Sequence, residues 1–276
     1  MTVAAGVPTI WLGLLRELDA APGERNLSAL QTLLIGGSAA PRALIEGFQE
    51  RHGIAVIHAW GMTEMTALGT VSRLRSELAG EPADVLYSIR AKQGQPAALV
   101  EVRAMTGDGL APRDGETMGE LEVRGPWVAR SYYESPEGAD RFTDDGWFRT
   151  GDIVTIDPRG YVEIQDRSKD LIKSGGEWIS SVALENALMG HAAVAEAAVI
   201  AVPDERWGER PLAVVVLKEG AAASAGELVG HLAGSFAKFQ LPDRVEFVDE
   251  IPKTAAGKFR KTALRERYAA VAAPSG

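Results

Sequence analysis

LQTLLIGGSAAPRALIEGFQERHGIAVIHAWGMTE, residues 30–64, decides how the fold is read. Its first segment is an apolar run that reads as a buried strand and breaks at Gly36-Gly37. Pro41 suits the first turn of a helix, and Leu44, Ile45 and Phe48 share one face of it. Gly53 fits the C-terminal cap, IAVIHAW (54–60) returns as a second strand, and the polar loop GMTEMT follows. Strand, helix and strand in that order predict α/β organisation.

Downstream the texture changes. Between about 80 and 165, short β-like runs such as ALVEVRAM and GELEVRG alternate with turn clusters such as TGDGLAPRDGET, without a convincing helix. GDIVTIDPRGYVEIQDR (151–167) predicts a hairpin, with two alternating strands around Asp157-Pro158-Arg159-Gly160. This piece is expected to be a small β-barrel or sandwich. Beyond Arg167 helices return. SVALENALMG is helical and stops at Gly190, AEAAVIAV and PLAVVVLK are apolar strands, and Ser224-Ala-Gly-Glu227 has capping-box spacing. RVEFVDEI predicts a further strand and ALRERY a closing helix, so this end reads as a compact α+β unit.

Composition narrows the function classes. The chain has 276 residues, 46% of them hydrophobic and 24% charged, with net charge −9. An acidic balance offers no overall field to nucleic acid or anionic lipid. No apolar run reaches membrane-spanning length, and the first residues lack the basic start of a secretory signal, so a cytoplasmic protein is expected. With no cysteine, disulfides, thiolate catalysis and cysteine-bound zinc are excluded, and the 4 histidines are scattered without metal-ligand spacing.

Singly, the polar motifs are weak. Thr150-Gly151-Asp152 reads as an ordinary turn, Trp60-Gly61-Met62-Thr63-Glu64 as a strand end, and Lys173-Ser174-Gly175-Gly176-Glu177 as a loop. PKTAAGKFRK (252–261) ends like a phosphate-binding loop. It has Pro252 where the leading glycine belongs and Phe259 where Ser or Thr would hold magnesium, so a phosphate-loop kinase is rejected.

Order and distance change the reading. GGSAAP (36–41), WGMTE (60–64), GELEVRGPWVARSYYESPE (119–137), WFRTGD (147–152), GYVEIQDRSKDLIKSGGEWIS (160–180) and PKTAAGK (252–258) together resemble the AMP-forming acyl-CoA synthetases. The resemblance covers nearly the whole chain and is strongest to the medium- and long-chain fatty acyl-CoA ligase branch. It implies α/β plus α+β architecture: residues 1–79 as part of a large AMP-binding domain, 80–167 as its β-rich subdomain, and 168–276 as a mobile C-terminal domain. The implied substrates are a carboxylic acid, ATP and coenzyme A, with Mg2+ as cofactor.

The resemblance also implies roles. Gly36, Gly37 and Ser38 line the adenine side of the nucleotide pocket and Trp60 stacks near the base, where relatives more often carry tyrosine. Gly61 and Met62 border the acyl pocket, Thr63 bonds the α-phosphate and Glu64 holds magnesium. Asp152 and Arg167 bind the ribose, Lys169 is the hinge, and Gly175 and Gly176 face the pantetheine channel. Lys258 is the catalytic cation. A carboxylate attacking a phosphate brings two anions together, and at about 4 Å and an effective dielectric of 20 their repulsion is roughly 4 kcal/mol. A lysine ammonium offsets it, on a loop of small residues that can enter a closed cleft.

One expected feature is not found. Family members carry a Ser/Thr/Gly-rich loop ending in Pro-Lys-Gly upstream of GGSAAP, and nothing in residues 1–35 resembles it. The chain therefore reads as roughly the C-terminal half of such an enzyme, with an N-terminal half missing or separately encoded. These 276 residues alone are expected to bind ATP poorly and not to adenylate at a normal rate. Two alternatives remain open at this point: a non-catalytic remnant or binding module, and an adenylating module that loads a carrier-protein thiol.

Overall fold

The computed structural model describes residues 1–254 and 257–268. It divides into two compact units, Met1–Ser168 and Lys169–Gly276. The α/β pattern read around residues 30–64 is present in the first. The strands β1 (Val3–Gly6), β2 (Thr32–Ile35) and β3 (Ala55–Trp60) pair in parallel, with α1 (Pro8–Ala20) and α2 (Arg42–Glu46) between them. The apolar positions explain the assembly. Trp11 and Leu15 of α1, Leu33 and Ile35 of β2, and Leu44 and Ile45 of α2 meet Phe48 in one buried cluster. The second helix widens into a π turn over Gly47–Arg51 before Gly53, at φ 65°, ends it. Two short strands, β4 (Thr70–Val71) and β5 (Gln95–Pro96), extend the sheet antiparallel in the order β1-β2-β3-β4-β5.

A helix not expected from the sequence lies between them. α3 (Ala83–Ala91) begins after Pro82, whose extended ψ of 145° suits the N-cap, and buries Tyr87 and Ile89. Its apolar residues are few and its flanks rich in turn formers, so the local pattern is faint.

The β-rich stretch forms an antiparallel sheet from β6 (Glu101–Thr106), β7 (Gly109–Leu110), β8 (Gly119–Arg124), β9 (Phe148–Ile156) and β10 (Val162–Arg167), in the order β10-β9-β8-β6-β7. The expected hairpin is β9–β10, and the Gly160 amide donates to the Asp157 carbonyl across its turn at 2.8 Å. Val102, Leu121, Val123, Phe148 and Val154 alternate inward, and Trp60 and Met65 pack into the same cluster.

In the second unit β11 (Ile172–Ser174) and β12 (Glu177–Ile179) form a small hairpin. After α4 (Ser181–Met189), the long strands β13 (Val194–Asp204) and β14 (Gly208–Leu217) pair antiparallel; α5 (Ala225–Ala233), β15 (Arg244–Phe247) and α6 (Lys261–Tyr268) follow. Both faces of β13 and β14 are covered: Leu184, Leu188, Leu228 and Leu232 pack on one, Leu264 and Tyr268 on the other. That is why these strands read as continuous apolar runs rather than alternating ones. The capping box at Ser224 and Glu227 is formed in both directions.

Candidate active site

In the first unit the sequence-selected residues gather where the parallel strands end. Gly36, Gly37 and Ser38 follow β2, and Gly61 to Glu64 follow β3, so both loops leave the carboxyl edge of neighbouring strands. Open α/β sheets bind ligands at that edge. The turns are also tied through His58, which is 1% exposed and whose Nδ1–H donates to the Ala91 carbonyl at 2.9 Å. Burial pushes its pKa below the usual 6.5, while the backbone of Ala91, Ser38 and Lys92 pulls the other way.

The loop after β3 is tightly wound. A Cβ on Gly61 would lie 2.1 Å from the Ala67 carbonyl oxygen, so only glycine fits there. Thr66 and Ala67 take left-handed φ values of 51° and 73°, which non-glycine residues seldom adopt. The strain is held by contacts to the segment after β8. The Ala129 amide donates to the Glu64 carbonyl at 2.7 Å, and the Thr66 hydroxyl donates to the Trp127 carbonyl at 3.1 Å. Thr63 is exposed, Met62 half-buried, and the half-buried Glu64 presents its carboxylate to Tyr132, whose hydroxyl donates to Oε1 at 2.7 Å. Burial, then this bond, raises the Tyr132 pKa above its usual value. Its ring is wedged edge-on against Phe142, with Gly138 leaving the room a side chain would fill.

Asp152 joins this group from β9. Its Oδ2 accepts the indole N–H of Trp60 at 2.8 Å, and its Oδ1 pairs with the Arg167 guanidinium at 2.6 Å. Asp152 is 2% exposed and Trp60 8%, so little of the Trp60 ring is open for a purine to stack on. Trp11, in α1, is a core residue of the first cluster.

The second unit begins with the exposed Lys169. Gly175 and Gly176 form the β11–β12 turn at φ 61° and 89°, and the Trp207 ring lies where a Gly175 side chain would start. Arg210, pinned to Asp243 at 2.7 Å, donates to the Ser174 hydroxyl at 3.1 Å and so braces the strand entering this turn. Lys258 is exposed and forms no ion pair among the described residues. It follows Gly257, at φ 78°, on a turn closed by the Lys253–Phe259 bridge and by the hydrogen bond that the Thr254 amide donates to the Lys258 carbonyl. Ala255 and Ala256, the small residues expected at its tip, lie outside the described residues.

Sequence reasoning missed Tyr132 and the Trp60–Asp152 bond. The tyrosine stood within the GELEVRGPWVARSYYESPE motif, but no spacing rule links it to Glu64, 68 residues away.

Residues 1–133 match the AMP-binding enzyme model, and residues 183–258 match the model of the AMP-binding enzyme C-terminal domain. The chain belongs to the AMP-binding enzyme family. It is 50% identical over 271 residues to a long-chain-fatty-acid–CoA ligase of Thermus thermophilus, covering 97% of this chain and 49% of that one. A 3-methylmercaptopropionyl-CoA ligase of Ruegeria pomeroyi is 46% identical over 269 residues, with the same two shares covered. The crystal structure of ATP-bound MatB from Rhodopseudomonas palustris superposes with a TM-score of 0.83 at 32% identity, covering 98% of this chain and 51% of that one. The chain thus spans about half the length of the curated relatives it matches, and its fold is that of the later half of an AMP-binding enzyme.

Proposed function

We propose that this chain carries the nucleotide and thiol-transfer machinery of an ATP-dependent acid–thiol ligase acting on fatty acids. A carboxylate oxygen bonds to the α-phosphorus of ATP and pyrophosphate leaves. The coenzyme A sulfur then bonds to the acyl carbon and AMP leaves. The observation that carries this reading is the convergence of Gly36–Ser38, Trp60–Glu64, Asp152 and Arg167 at one edge of the first unit. Residues 1–79 and 80–167 supply that nucleotide side; 168–276 supply Lys258 and the two glycines of the thiol channel, with Lys169 as the pivot.

Each role follows from chemistry. Backbone at Gly36 and Gly37 lets a purine approach closely. Asp152 accepts ribose hydroxyls, Thr63 bonds the α-phosphate, and Gly61 and Met62 border the acyl chain. Glu64 suits magnesium: it offers a hard carboxylate oxygen, and that ion commonly takes one or two carboxylates and completes its shell with phosphate and water. Tyr132 holds one oxygen of Glu64 and leaves the other for the ion. Bound there, magnesium would neutralise phosphate charge. The fatty-acid substrate is supported by the name of the Thermus relative, and free coenzyme A is favoured over a carrier-protein thiol by the names of both the Thermus and the Ruegeria relatives.

The test avoids any need to hold β- and γ-phosphates. The chain is given a synthetic fatty acyl-adenylate with either coenzyme A or a pantetheinylated carrier protein, and thioester is followed by mass spectrometry. Acyl-CoA above the uncatalysed rate, lost in Asp152→Ala, is expected. Thioester on the carrier alone would move the assignment to a loading module, and no binding of the adenylate would end the ligase reading.

A further inference from the structure

We infer that Trp60 is a positioning residue, whose indole N–H keeps the Asp152 carboxylate aimed at the ribose when Arg167 turns to a ligand. The inference rests on the proposed role of Asp152 as ribose acceptor and goes beyond it in assigning what orients that acid. Three observations carry it. The carboxylate is held from two sides, by Trp60 on Oδ2 at 2.8 Å and by Arg167 on Oδ1 at 2.6 Å. The two donors differ in freedom: Trp60 is 8% exposed, whereas the Arg167 side chain is 46% exposed. Finally, Trp60 is locked by packing, because its six-membered ring lies within 2.7 Å of where a Cβ on Gly69 would be and it shares a cluster with Met65.

The chemistry follows. An ionised carboxylate has about four acceptor sites, of which the bonds to Trp60 and Arg167 take one on each oxygen. Arg167, being exposed, is the donor that can turn toward ribose or phosphate when a nucleotide arrives. An indole nitrogen only donates and cannot rotate away from its packed ring, so its bond persists. Without it, the carboxylate loses its buried indole donor, and the selectivity for ribose hydroxyls falls. Trp60 thus serves through its N–H edge, in place of a stacking face.

The experiment compares AMP with 3′-deoxyAMP by titration calorimetry on the 276-residue chain; AMP is chosen because it carries the ribose and α-phosphate alone. A charge-assisted hydrogen bond is worth about 1.5 to 3 kcal/mol, so the wild-type chain is expected to prefer AMP by about ten-fold or more. Trp60→Phe, which keeps an aromatic ring and removes the N–H, is expected to bring that preference to within about two-fold, as is Asp152→Asn. A full preference in Trp60→Phe with its loss in Asp152→Asn overturns the role of Trp60 and leaves the ribose reading standing. No preference in the wild type, or its survival in Asp152→Asn, removes both. If Trp60→Phe does not fold, the wild-type indole resonances decide. The Trp60 Nε1–H should exchange slowly and shift upfield in Asp152→Asn, and fast exchange in the wild type would contradict the bond.

Discussion

Lys258 is one ammonium on an exposed turn, and its assigned work is purely electrostatic. It is asked to offset a repulsion of roughly 4 kcal/mol between carboxylate and phosphate, a demand that exists only while the acyl–phosphate bond forms. In a complete enzyme carrying this sequence, Lys258→Ala should lower adenylate formation about 100-fold or more. Thioester formation from supplied acyl-adenylate should fall far less, since in that step the sulfur attacks the acyl carbon and no carboxylate has to approach the phosphorus. Measuring the two half-reactions separately checks this, and equal losses would remove the role. His58 makes a different statement at this scale. Its folded pKa lies below 6.5, so the unfolded chain binds more protons once pH falls under that value. Stability is therefore present above 6.5 and is lost as pH drops toward the folded pKa, with a slope of at most about 1.4 kcal/mol per pH unit. Urea midpoints at several pH values should show this decline, and His58→Gln should flatten it.

Among the elements, the most constrained is the loop after β3. Gly61→Ala would push a Cβ into a backbone carbonyl 2.1 Å away, and the already strained Thr66 and Ala67 leave the loop no slack. Overpacking against backbone costs about 1–3 kcal/mol or more, so Gly61→Ala should lower the denaturation midpoint and weaken nucleotide binding together. The elements also show what a sequence can disclose. The β9–β10 hairpin was legible because two β-rich runs meet a turn of Asp, Pro and Gly, and α5 because its capping box stands before a clean apolar spacing. α3 was not legible, since its nine residues bury only Tyr87 and Ile89 and its stability comes from tertiary packing. The site divides likewise: its glycines and acids stood in recognisable motifs. Which oxygen meets which donor depends on β9 reaching the end of β3, a pairing of side chains 92 residues apart that no local pattern encodes.

At the scale of the molecule, each buried cluster closes within its own unit: Leu33 belongs to one in the first, Leu184 to one in the second. Removing either side chain leaves a cavity worth about 2–5 kcal/mol. Leu33→Ala should destabilise the first unit and Leu184→Ala the second, seen as separate shifts by hydrogen exchange resolved along the chain. A uniform loss from either variant would mean the units share one cooperative core. Family membership, the carboxyl-edge placement of the loops and the Trp60–Asp152–Arg167 cluster all bear on one claim, that the first unit binds the nucleotide through Asp152. The most direct measurement is a crystal structure of the chain with a non-hydrolysable fatty acyl-adenylate analogue. The ribose hydroxyls should lie within hydrogen-bond distance of the Asp152 carboxylate, with Trp60 still bonded to it and the base beside Gly36 and Gly37. An adenosine bound anywhere else, with Asp152 untouched, would contradict the account.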